Sequence, residues 1–316
     1  MNRRHFIGGL VALGCQGAML DINASNLASL PKSKKEKKRS KEFDENLVVI
    51  ISDLHTNPDG YQPAKLSKTI SDIVDMKPKP KHVIALGDLA YLQGKASEYA
   101  LLRQIIQPLF DAGIELTMGM GNHDRRENFS AAFPQLANKT KVLGRMTFEV
   151  ETPRADFIIL DSLNQGEDNK SFIVEGTLDD NQRNWLKERL SKASKPTFVM
   201  AHHPINETKL QRMLLENRAC CGYIHGHNHV WQTGWNHTNY SDRTLIRTLC
   251  VPSTGHWGDI GYTKLYLEEN EAIAELNQYE FFFPQPAKDG EEKPLQWKMI
   301  EEEHKGAFCK FNYNRL

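Results

Sequence analysis

The hexapeptide Gly121-Asn122-His123-Asp124-Arg125-Arg126 directly follows an apolar run at residues 114–120. A short apolar run that ends in turn-forming and polar residues is typical of a buried β-strand. Four other stretches have the same form: residues 47–51 before Ser52-Asp53-Leu54-His55, residues 82–86 before Gly87-Asp88, residues 197–201 before His202-His203-Pro204, and residues 220–224 before His225-Gly226-His227-Asn228-His229. Because ligands of α/β sheets bind beyond the carboxyl ends of strands, these five loops are predicted to meet in space.

The sequence between these loops predicts an α/β fold. Helical patterns cover residues 64–76, 97–112, 178–192 and 207–217. Four further strands, at residues 146–150, 157–160, 245–251 and 262–267, lack intervening helices and indicate a second, more antiparallel sheet. We therefore predict a four-layer α/β/β/α sandwich, in which two packed mixed sheets are flanked by helices.

The composition excludes several other classes of protein. The chain has 40 Lys and Arg residues against 40 Asp and Glu residues, and this zero net charge argues against specific binding of nucleic acid. With 40% hydrophobic and 25% charged residues, the chain has the composition of a soluble globular protein. Its five cysteines form no Cys-x-x-Cys pair, which argues against a cysteine-based zinc site.

The first 20 residues have the pattern of an export signal. Arg3-Arg4-x-Phe6-Ile7 opens an apolar stretch that continues to Leu13, which resembles a twin-arginine signal read by the export machinery for folded proteins. Cys15 follows Ala12-Leu13-Gly14, a sequence similar to a lipoprotein cleavage site, so membrane attachment through a lipidated Cys15 is one alternative and ordinary cleavage is the other. Both predict a periplasmic or cell-envelope location.

Three further segments complete the predicted organisation. Residues 21–45 contain the stretch PKSKKEKKRSK and are predicted to be a basic, disordered linker. Residues 46–268 form the predicted catalytic domain. Residues 269–316 are predicted to be a C-terminal extension that packs against this domain, where it either shapes the mouth of the pocket or covers a sheet edge.

The polar residues at the strand ends suit a particular kind of metal chemistry. Asp, His and Asn offer nitrogen and oxygen donors without thiolate, a mixture that suits Mn, Fe or Zn. Asp53-x-His55 and His227-x-His229 each place two donors on one turn. Two metal ions about 3.5–4 Å apart are a common hydrolytic arrangement, which neutralises a bound phosphate and activates a shared water. Such a site would hydrolyse phosphoesters by direct attack of a metal-bridged hydroxide, without a covalent enzyme intermediate.

Taken in order, the five loops resemble the five sequence blocks of the calcineurin-like metallophosphoesterases. This resemblance implies two divalent or trivalent metal ions (Mn, Fe or Zn), bridged by Asp88. One ion would be held by Asp53, His55, Asp88 and His229, and the other by Asp88, Asn122, His202 and His227. The resemblance also places His123 near the leaving group, as a general acid or an electrostatic partner of the phosphoryl oxygens. Asn122 and His123 would contact the substrate. Arg126 matches a family position and is predicted to do so too, with a place in a solvated loop as the alternative.

Sequence between the blocks resembles the class III cyclic-nucleotide phosphodiesterase branch. The similar segments are Leu160-Asp161-Ser162, Gly176-x-Leu178, Ala201-His202-His203-Pro204 and Pro252-Ser253-Thr254-Gly255. One feature departs from this pattern, because Gly87-Asp88-Leu89-Ala90-Tyr91 is similar to a block of purple acid phosphatases in which the tyrosine binds iron. Since His55 already fills that coordination role here, we expect Tyr91 not to be a ligand.

Several residues near the blocks have both a functional and a structural interpretation. We expect His203 and His225 to be structural, since adjacent residues of a strand point to opposite faces. His256 and Trp257 either contact the substrate or pack within their loop.

These observations favour an exported phosphoesterase with two metal ions and a small phosphoester substrate, more readily a phosphodiester than a phosphomonoester. Two alternatives stay open. One is an acid-phosphatase-like monoesterase acting on nucleotides or sugar phosphates, and the other is a non-catalytic metal-binding protein of the cell envelope.

Overall fold

A computed structural model describes residues 42–166, 173–236, 246–283 and 295–314. The predicted export signal, Cys15 and nearly all of the predicted linker lie outside these residues. The strands are β1 (Phe43–Ile51), β2 (Lys79–Ala85), β3 (Glu115–Met118), β4 (Phe148–Glu151), β5 (Asp156–Ile159), β6 (Thr197–Met200), β7 (Cys220–His225), β8 (Gln232–Asn236), β9 (Ile246–Cys250), β10 (Gly258–Leu267), β11 (Glu271–Phe282) and β12 (Phe308–Asn312). The helices are α1 (Gln62–Val74), α2 (Ala96–Asp111), α3 (Arg126–Ala132), α4 (Pro134–Ala137), α5 (Asp180–Ser191), α6 (Ile205–Thr208), α7 (Gln211–Glu216) and α8 (Leu295–His304).

The strands form two six-stranded mixed sheets, as predicted. The first sheet has the order β12-β11-β10-β1-β2-β3, in which β1, β2 and β3 are parallel and β10 to β12 are antiparallel additions. The second sheet has the order β4-β5-β6-β7-β9-β8, with four parallel strands between antiparallel edge strands. All nine strands predicted from the sequence are present. The sequence patterns of β8, β11 and β12 were not recognised as strands.

Alternating side chains of the second sheet face two different hydrophobic layers. Phe157 and Ile159 of β5 belong to the core shared with the first sheet, whereas Ile158 and Leu160 pack with the residues of α5 and α7. Because successive strand residues point to opposite faces, this division requires a sheet on one side and helices on the other. The ring of Phe311 in β12 lies 5.2 Å from that of Phe198 in β6, which joins the two sheets directly. The predicted four-layer sandwich is therefore confirmed.

The distribution of strands between the sheets differs from the prediction. Strands β6 and β7, predicted to lie with β1 to β3, belong to the second sheet, and β10, predicted for the second sheet, pairs antiparallel with β1. Apolar runs identify buried strands, but they carry no information on which sheet a strand joins. The parallel strands are consequently divided between the two sheets.

Strands extend past both predicted boundaries of the central domain. Strand β1 begins at Phe43, within the predicted linker, because the Phe43 ring packs against the core and its backbone pairs with Lys79. At the other end, β11 extends the first sheet along β10, and Phe311 of β12 is fully buried. Strands β11 and β12, both beyond residue 268, are therefore part of the sheet and core. Of the two roles considered for them, β11 does cover a sheet edge.

One predicted helix is interrupted. The stretch at residues 207–217 forms α6 and α7, because Lys209 after α6 has a left-handed conformation with φ of 52°. In the part of the chain that the structure describes, no helix combines the length and the apolar character needed to cross a membrane.

Candidate metal centre

The predicted ligands all follow the carboxyl ends of parallel strands. Asp53, Asp88 and Asn122 come after β1, β2 and β3 of the first sheet. His202 follows β6 and the pair His227 and His229 follows β7, both in the second sheet. Hydrogen bonds between neighbouring loops keep the strand ends aligned: the Asp53 N–H donates to the Gly87 carbonyl at 3.1 Å, and the Gly226 N–H donates to the His202 carbonyl at 3.0 Å. The structure brings all seven predicted ligands together.

The first cluster consists of Asp53, His55, Asp88 and His229, all of them buried. Each offers a donor atom, and these atoms lie within 4.8 Å of one another. His229 Nε2 lies 3.2 Å from Asp53 Oδ1 and 3.3 Å from His55 Nε2. His55 Nε2 lies 3.5 Å from Asp88 Oδ2. The four residues match the predicted first ligand set and could hold one cation.

The second cluster consists of Asp88, Asn122, His202 and His227. Asn122 Oδ1 lies 3.0 Å from His227 Nδ1 and 3.2 Å from His202 Nε2. Asp88 Oδ2 is 3.3 Å from His202 Nε2 as well as 3.5 Å from His55 Nε2 in the first cluster. Asp88 therefore lies between the clusters, where one carboxylate could contact two cations.

The backbone at the candidate ligands is unusual. Asp53, His55, Asp88, His227 and His229 all have φ between 43° and 72°, and Lys209 is the one other non-glycine residue with positive φ among those described. The left-handed region is unfavourable for side chains with a Cβ atom, and such residues concentrate at functional sites. Packing around the cluster must therefore hold these residues in place, and the conformation aims five donor side chains at one point.

Charge and burial leave most of the donors in the form that binds cations. Burial raises the pKa of Asp53 and Asp88, but neighbouring histidines outweigh this effect and hold both values well below the ordinary range. Burial also depresses the pKa of His55, and lowers that of His227 to about 4. Ionised carboxylates and neutral imidazoles with nitrogen atoms 3.3 Å apart fit a cation, which each of these atoms can coordinate.

His202 differs from the other histidines. Burial disfavours its charge, but Asp88 and Asp53 outweigh that effect and raise its pKa to about 9. A proton on His202 is therefore stable next to these carboxylates, and a bound cation would have to replace it.

Backbone carbonyls orient two of the candidate ligands. His55 Nδ1 lies 3.2 Å from the Tyr91 carbonyl, and His202 Nδ1 lies 3.0 Å from the Leu86 carbonyl. Since a carbonyl can only accept, each Nδ1 must donate, which directs Nε2 into the cluster. Hydrogen bonds of this kind are the usual second layer of a metal site. Tyr91 thus contributes through its backbone, as expected for a residue that is not a ligand.

His123 lies at the opening of the centre. Its backbone N–H donates to Asp88 Oδ1 at 2.9 Å, and its Nε2 lies 3.8 Å from Asp88 Oδ2. The side chain is 17% exposed, compared with 2% for that of Asp88. The imidazole is therefore close to the cluster and also accessible to a substrate.

Asp124 fixes the loop that carries Asn122 and His123. Its buried carboxylate accepts hydrogen bonds from the backbone N–H groups of Leu89, Ala90 and Gly121 and from the Tyr99 hydroxyl. Burial, reinforced by the charge of Asp88, raises the pKa of Asp124 to about 7. The sequence motif includes Asp124, whereas nothing in the sequence indicates that Tyr99 is its partner.

Arg126, predicted to contact the substrate, is held by a buried carboxylate. Its Nε donates to Asp161 Oδ2 at 2.6 Å, and one terminal nitrogen donates to Asp161 Oδ1 at 2.9 Å and to the Leu163 carbonyl at 2.7 Å. Asp161 is fully buried and needs this cation as a partner. Arg125 Nη1 donates to the Gly166 carbonyl. Both arginines of the loop are therefore engaged within the protein.

Two histidines beside the centre have structural contacts, as expected. The donor atoms of His203 lie near those of His202 and His227, but both of its ring nitrogens have protein partners. The Ser162 hydroxyl lies 2.7 Å from His203 Nδ1, and His203 Nε2 donates to the Val174 carbonyl at 3.0 Å. We therefore do not include His203 among the ligands. His225 Nδ1 donates to the Gly226 carbonyl at 2.8 Å.

His256 and Trp257 border the first cluster. The His256 ring centroid lies 4.3 Å from that of His55, and the Trp257 ring lies 4.2 Å from His229. The His256 loop is tied to the site because Ser253 Oγ donates to the Asp53 carbonyl and accepts from the His256 N–H. The two residues thus form a wall of the centre in addition to packing within their loop.

Comparison with known proteins points to one family. A model of the calcineurin-like phosphoesterase family matches residues 47–231. A probable cyclic nucleotide phosphodiesterase of Rhodopseudomonas palustris is 31% identical over 160 residues, which are 49% of this chain and 54% of that protein. A second protein of that description, from Synechococcus, is 28% identical over 141 residues, covering 44% of this chain and 49% of that protein. The chain thus spans about half the length of the curated relatives it matches.

A solved structure agrees with this match at the level of the fold. A dimetal phosphatase from Danio rerio superposes with a TM-score of 0.59 at 13% sequence identity, covering 73% of this chain and 96% of that protein. At this identity the likeness extends to the arrangement of sheets and helices.

Proposed function

The chain belongs to the calcineurin-like phosphoesterase family, and on that premise we propose that it is a phosphoric ester hydrolase that uses two divalent or trivalent metal ions. The observation that carries this proposal is the convergence of seven buried or half-buried donor side chains from five loops, five of them in left-handed conformations. Packing alone would not require so many strained, polar residues at one place.

The two clusters give each residue a role in this proposal. Asp53, His55 and His229 would hold one cation, Asn122, His202 and His227 would hold the other, and Asp88 would contact both. Two cations at these positions would neutralise the phosphoryl oxygens of an ester and lower the pKa of a water molecule. The protein supplies neutral imidazoles, ionised carboxylates and a fixed geometry.

We assign His123 to the leaving group. Its side chain is more exposed than that of Asp88, and its backbone N–H donates to Asp88, which keeps the side chain next to the proposed cations. From that position the imidazole could donate a proton to the leaving oxygen or stabilise charge on a phosphoryl oxygen. The edge-to-face contact with His55, at 4.7 Å between ring centroids, restricts its orientation.

Charge favours a phosphodiester over a phosphomonoester. A monoester brings close to two negative charges at neutral pH, whereas a diester brings one. Arg126 is paired with Asp161, and Arg125 donates to the Gly166 carbonyl, so both guanidinium groups already have partners within the protein. The curated relatives are named as probable cyclic nucleotide phosphodiesterases, and cyclic nucleotides therefore belong among the diesters to be tested.

A substrate comparison tests this proposal. Protein reconstituted with Mn, Fe or Zn is expected to hydrolyse bis-p-nitrophenyl phosphate faster than p-nitrophenyl phosphate. Asn122→Ala should abolish turnover, whereas Asn138→Ala, an exposed asparagine outside the site, serves as the matched control. A higher rate on the monoester would favour the acid-phosphatase-like alternative. Stoichiometric metal binding without turnover of any ester would favour the non-catalytic alternative.

We further propose that the protein is exported through its twin-arginine sequence to the periplasm or cell envelope. The paired Arg3 and Arg4 before an apolar stretch support this proposal. Replacing both by lysine keeps the charge but removes the motif, and should retain the protein in the cytoplasm when cells are fractionated. Cys15→Ser should release the protein from membranes if Cys15 carries a lipid, and should leave its distribution unchanged if it does not.

A further inference from the structure

A buried carboxylate lies directly behind the first cluster, outside the proposed ligand set. Asp259, near the start of β10, is fully buried. Its oxygens accept hydrogen bonds from the Trp231 backbone N–H at 2.6 Å, from Gln278 Nε2 at 2.5 Å and from His304 Nδ1 at 2.9 Å. A buried charge with three donors has little freedom to move, because each displacement leaves a polar group without a partner. Asp259 therefore ties together segments from four parts of the chain.

Asp259 also holds the backbone of a proposed ligand. Its N–H donates to the His229 carbonyl at 2.9 Å, while its carboxylate holds the N–H of Trp231 two residues further on. Asp259 therefore forms hydrogen bonds with both ends of the turn at residues 229–231. Gly258 has φ of 87°, and a Cβ atom there would lie 2.2 Å from the His229 carbonyl oxygen. This close approach of two backbones restrains His229 in its left-handed conformation.

Helix α8 reaches the same turn by two routes. The polar route runs from His304, the last residue of α8, through Asp259 to the turn. The aromatic route runs from Trp297 to Phe283 at 5.7 Å, from Phe283 to Trp257 at 4.9 Å and from Trp257 to the His229 ring at 4.2 Å. The helix is itself anchored on β11, where Glu301 accepts a hydrogen bond from the Phe281 N–H.

From these contacts we infer that α8, acting through His304 and Asp259, positions His229 and thereby sets the affinity of the cation held by the first cluster. The inference rests on the proposed function, because it requires a cation at that cluster. His304 is a positioning residue, since its contact is with Asp259. The residues that form this support in β10, β11 and α8 lie beyond residues 47–231, the part matched by the family model.

The effect should be confined to one of the two cations. Hydrogen bonds behind a metal ligand orient it, and their loss typically lowers metal affinity by about 10–100-fold. In the second cluster, His202 is oriented by the Leu86 carbonyl, which does not belong to the C-terminal part of the chain. Loss of the His304 contact is therefore expected to weaken one site and leave the other unchanged.

Calorimetric titration of the full chain with Mn²⁺ tests this inference. His304→Ala should lower the affinity of one site by about 10–100-fold, with the second site unaffected. His304→Asn, whose amide can donate from near the position of Nδ1, should restore most of the affinity. Met299→Ala, a change at a side chain that is 62% exposed on the same helix, is the matched control and should bind as the unmodified protein does.

Hydrogen exchange in the metal-free protein supplies a second readout. The Trp231 N–H should exchange faster in His304→Ala, because its acceptor Asp259 is less firmly held. Gln278→Leu removes a different donor to Asp259 from a different element and should have the same two effects. If His304→Ala does not fold, Mn²⁺ titration and Trp231 exchange of Gln278→Leu test the positioning role of Asp259 instead.

The outcomes separate this inference from the proposed activity. Unchanged affinity at both sites with unchanged Trp231 exchange, or an equal loss at both sites, would overturn the positioning role even if the protein hydrolyses esters. A selective loss in a protein that hydrolyses no ester would support the positioning role and defeat the activity. A protein that binds none of the Mn, Fe and Zn ions would defeat both.

Discussion

The two halves of the metal centre are supported in different ways, as a comparison of His202 with His229 illustrates. His202 lies two residues after the end of a buried strand, β6, and the carbonyl of Leu86, the residue after β2 of the other sheet, fixes its ring. His229 lies in a turn after β7 with φ of 61°, and its carbonyl accepts a hydrogen bond from Asp259, 30 positions later in the chain. The half that contains His202 is thus held by the two sheets themselves, whereas the half that contains His229 also needs contacts from the C-terminal part of the chain.

The largest expected effect comes from the residue that joins the halves. Asp88→Asn keeps the shape of the side chain but removes the charge placed to contact both cations. We expect kcat/KM to fall at least about 10⁴-fold, which corresponds to about 5.5 kcal/mol of transition-state stabilisation. Steady-state kinetics on bis-p-nitrophenyl phosphate measure this loss. A fall of less than tenfold would mean that the two halves do not share Asp88.

Substitution of Arg126 tests whether this residue stabilises the fold through Asp161 or takes part in the metal centre by contacting the substrate. Arg126→Gln leaves the fully buried Asp161 without its cation, and the free energy of unfolding should fall by about 3–5 kcal/mol. Arg126→Lys keeps the positive charge, so its free energy of unfolding should fall by less. Urea denaturation of the metal-free variants measures both changes. Unaltered stability together with a raised KM would contradict the structural role and restore the substrate contact expected from the sequence.

A pair of glycine substitutions sharpens the difference between the halves. Gly258→Ala forces a Cβ atom to within 2.2 Å of the His229 carbonyl oxygen, whereas Gly144, with φ of 74°, has open space around it. Both substitutions incur backbone strain of about 1–3 kcal/mol, but Gly258→Ala should also weaken the cation site that contains His229. Mn²⁺ titration of the two variants distinguishes the effects. Equal affinities would show that the contact between Gly258 and His229 has no bearing on the site.

The smallest expected effect is a pH dependence that arises in the C-terminal support. The hydrogen bond to Asp259 raises the pKa of His304 above its ordinary value of 6.5, and the charge of Glu303 acts in the same direction. A raised pKa in the folded state means that the stabilisation is fully present below pH 6.5 and is lost as the pH rises through the raised value. Denaturation of the metal-free protein across this range, compared with His304→Asn, should show the loss only where His304 is present. Identical pH profiles would contradict this account.

Much of the fold could be predicted from the sequence, because most of its strands are short apolar runs that end in polar loops. Nine strands and the convergence of Asp53, Asp88, Asn122, His202 and His229 follow from that pattern. The assignment of β6 and β10 to their sheets could not be predicted, since an apolar run does not specify its neighbour. In strand β11 the buried residues Ala272, Ala274 and Leu276 alternate with mostly polar ones, a weaker pattern than a continuous apolar run.

The parts of the centre that were missed depend on contacts between distant residues. Arg126 matched a family position, but its partner Asp161 lies 35 residues away, and no local pattern connects the two. Asp259 and His304 bear on His229 only because β10, β11 and α8 fold back beside the turn. The left-handed conformations of five candidate ligands likewise result from packing, because Asp and His have no intrinsic preference strong enough to predict them.

The central claim is that seven side chains from five loops hold a pair of cations around Asp88. Anomalous X-ray diffraction from crystals grown with Mn²⁺ measures this most directly. The account predicts two Mn²⁺ peaks about 3.5–4 Å apart, with the Asp88 carboxylate between them and His202 and His229 on opposite sides. A single peak, or peaks remote from Asp88, would contradict it.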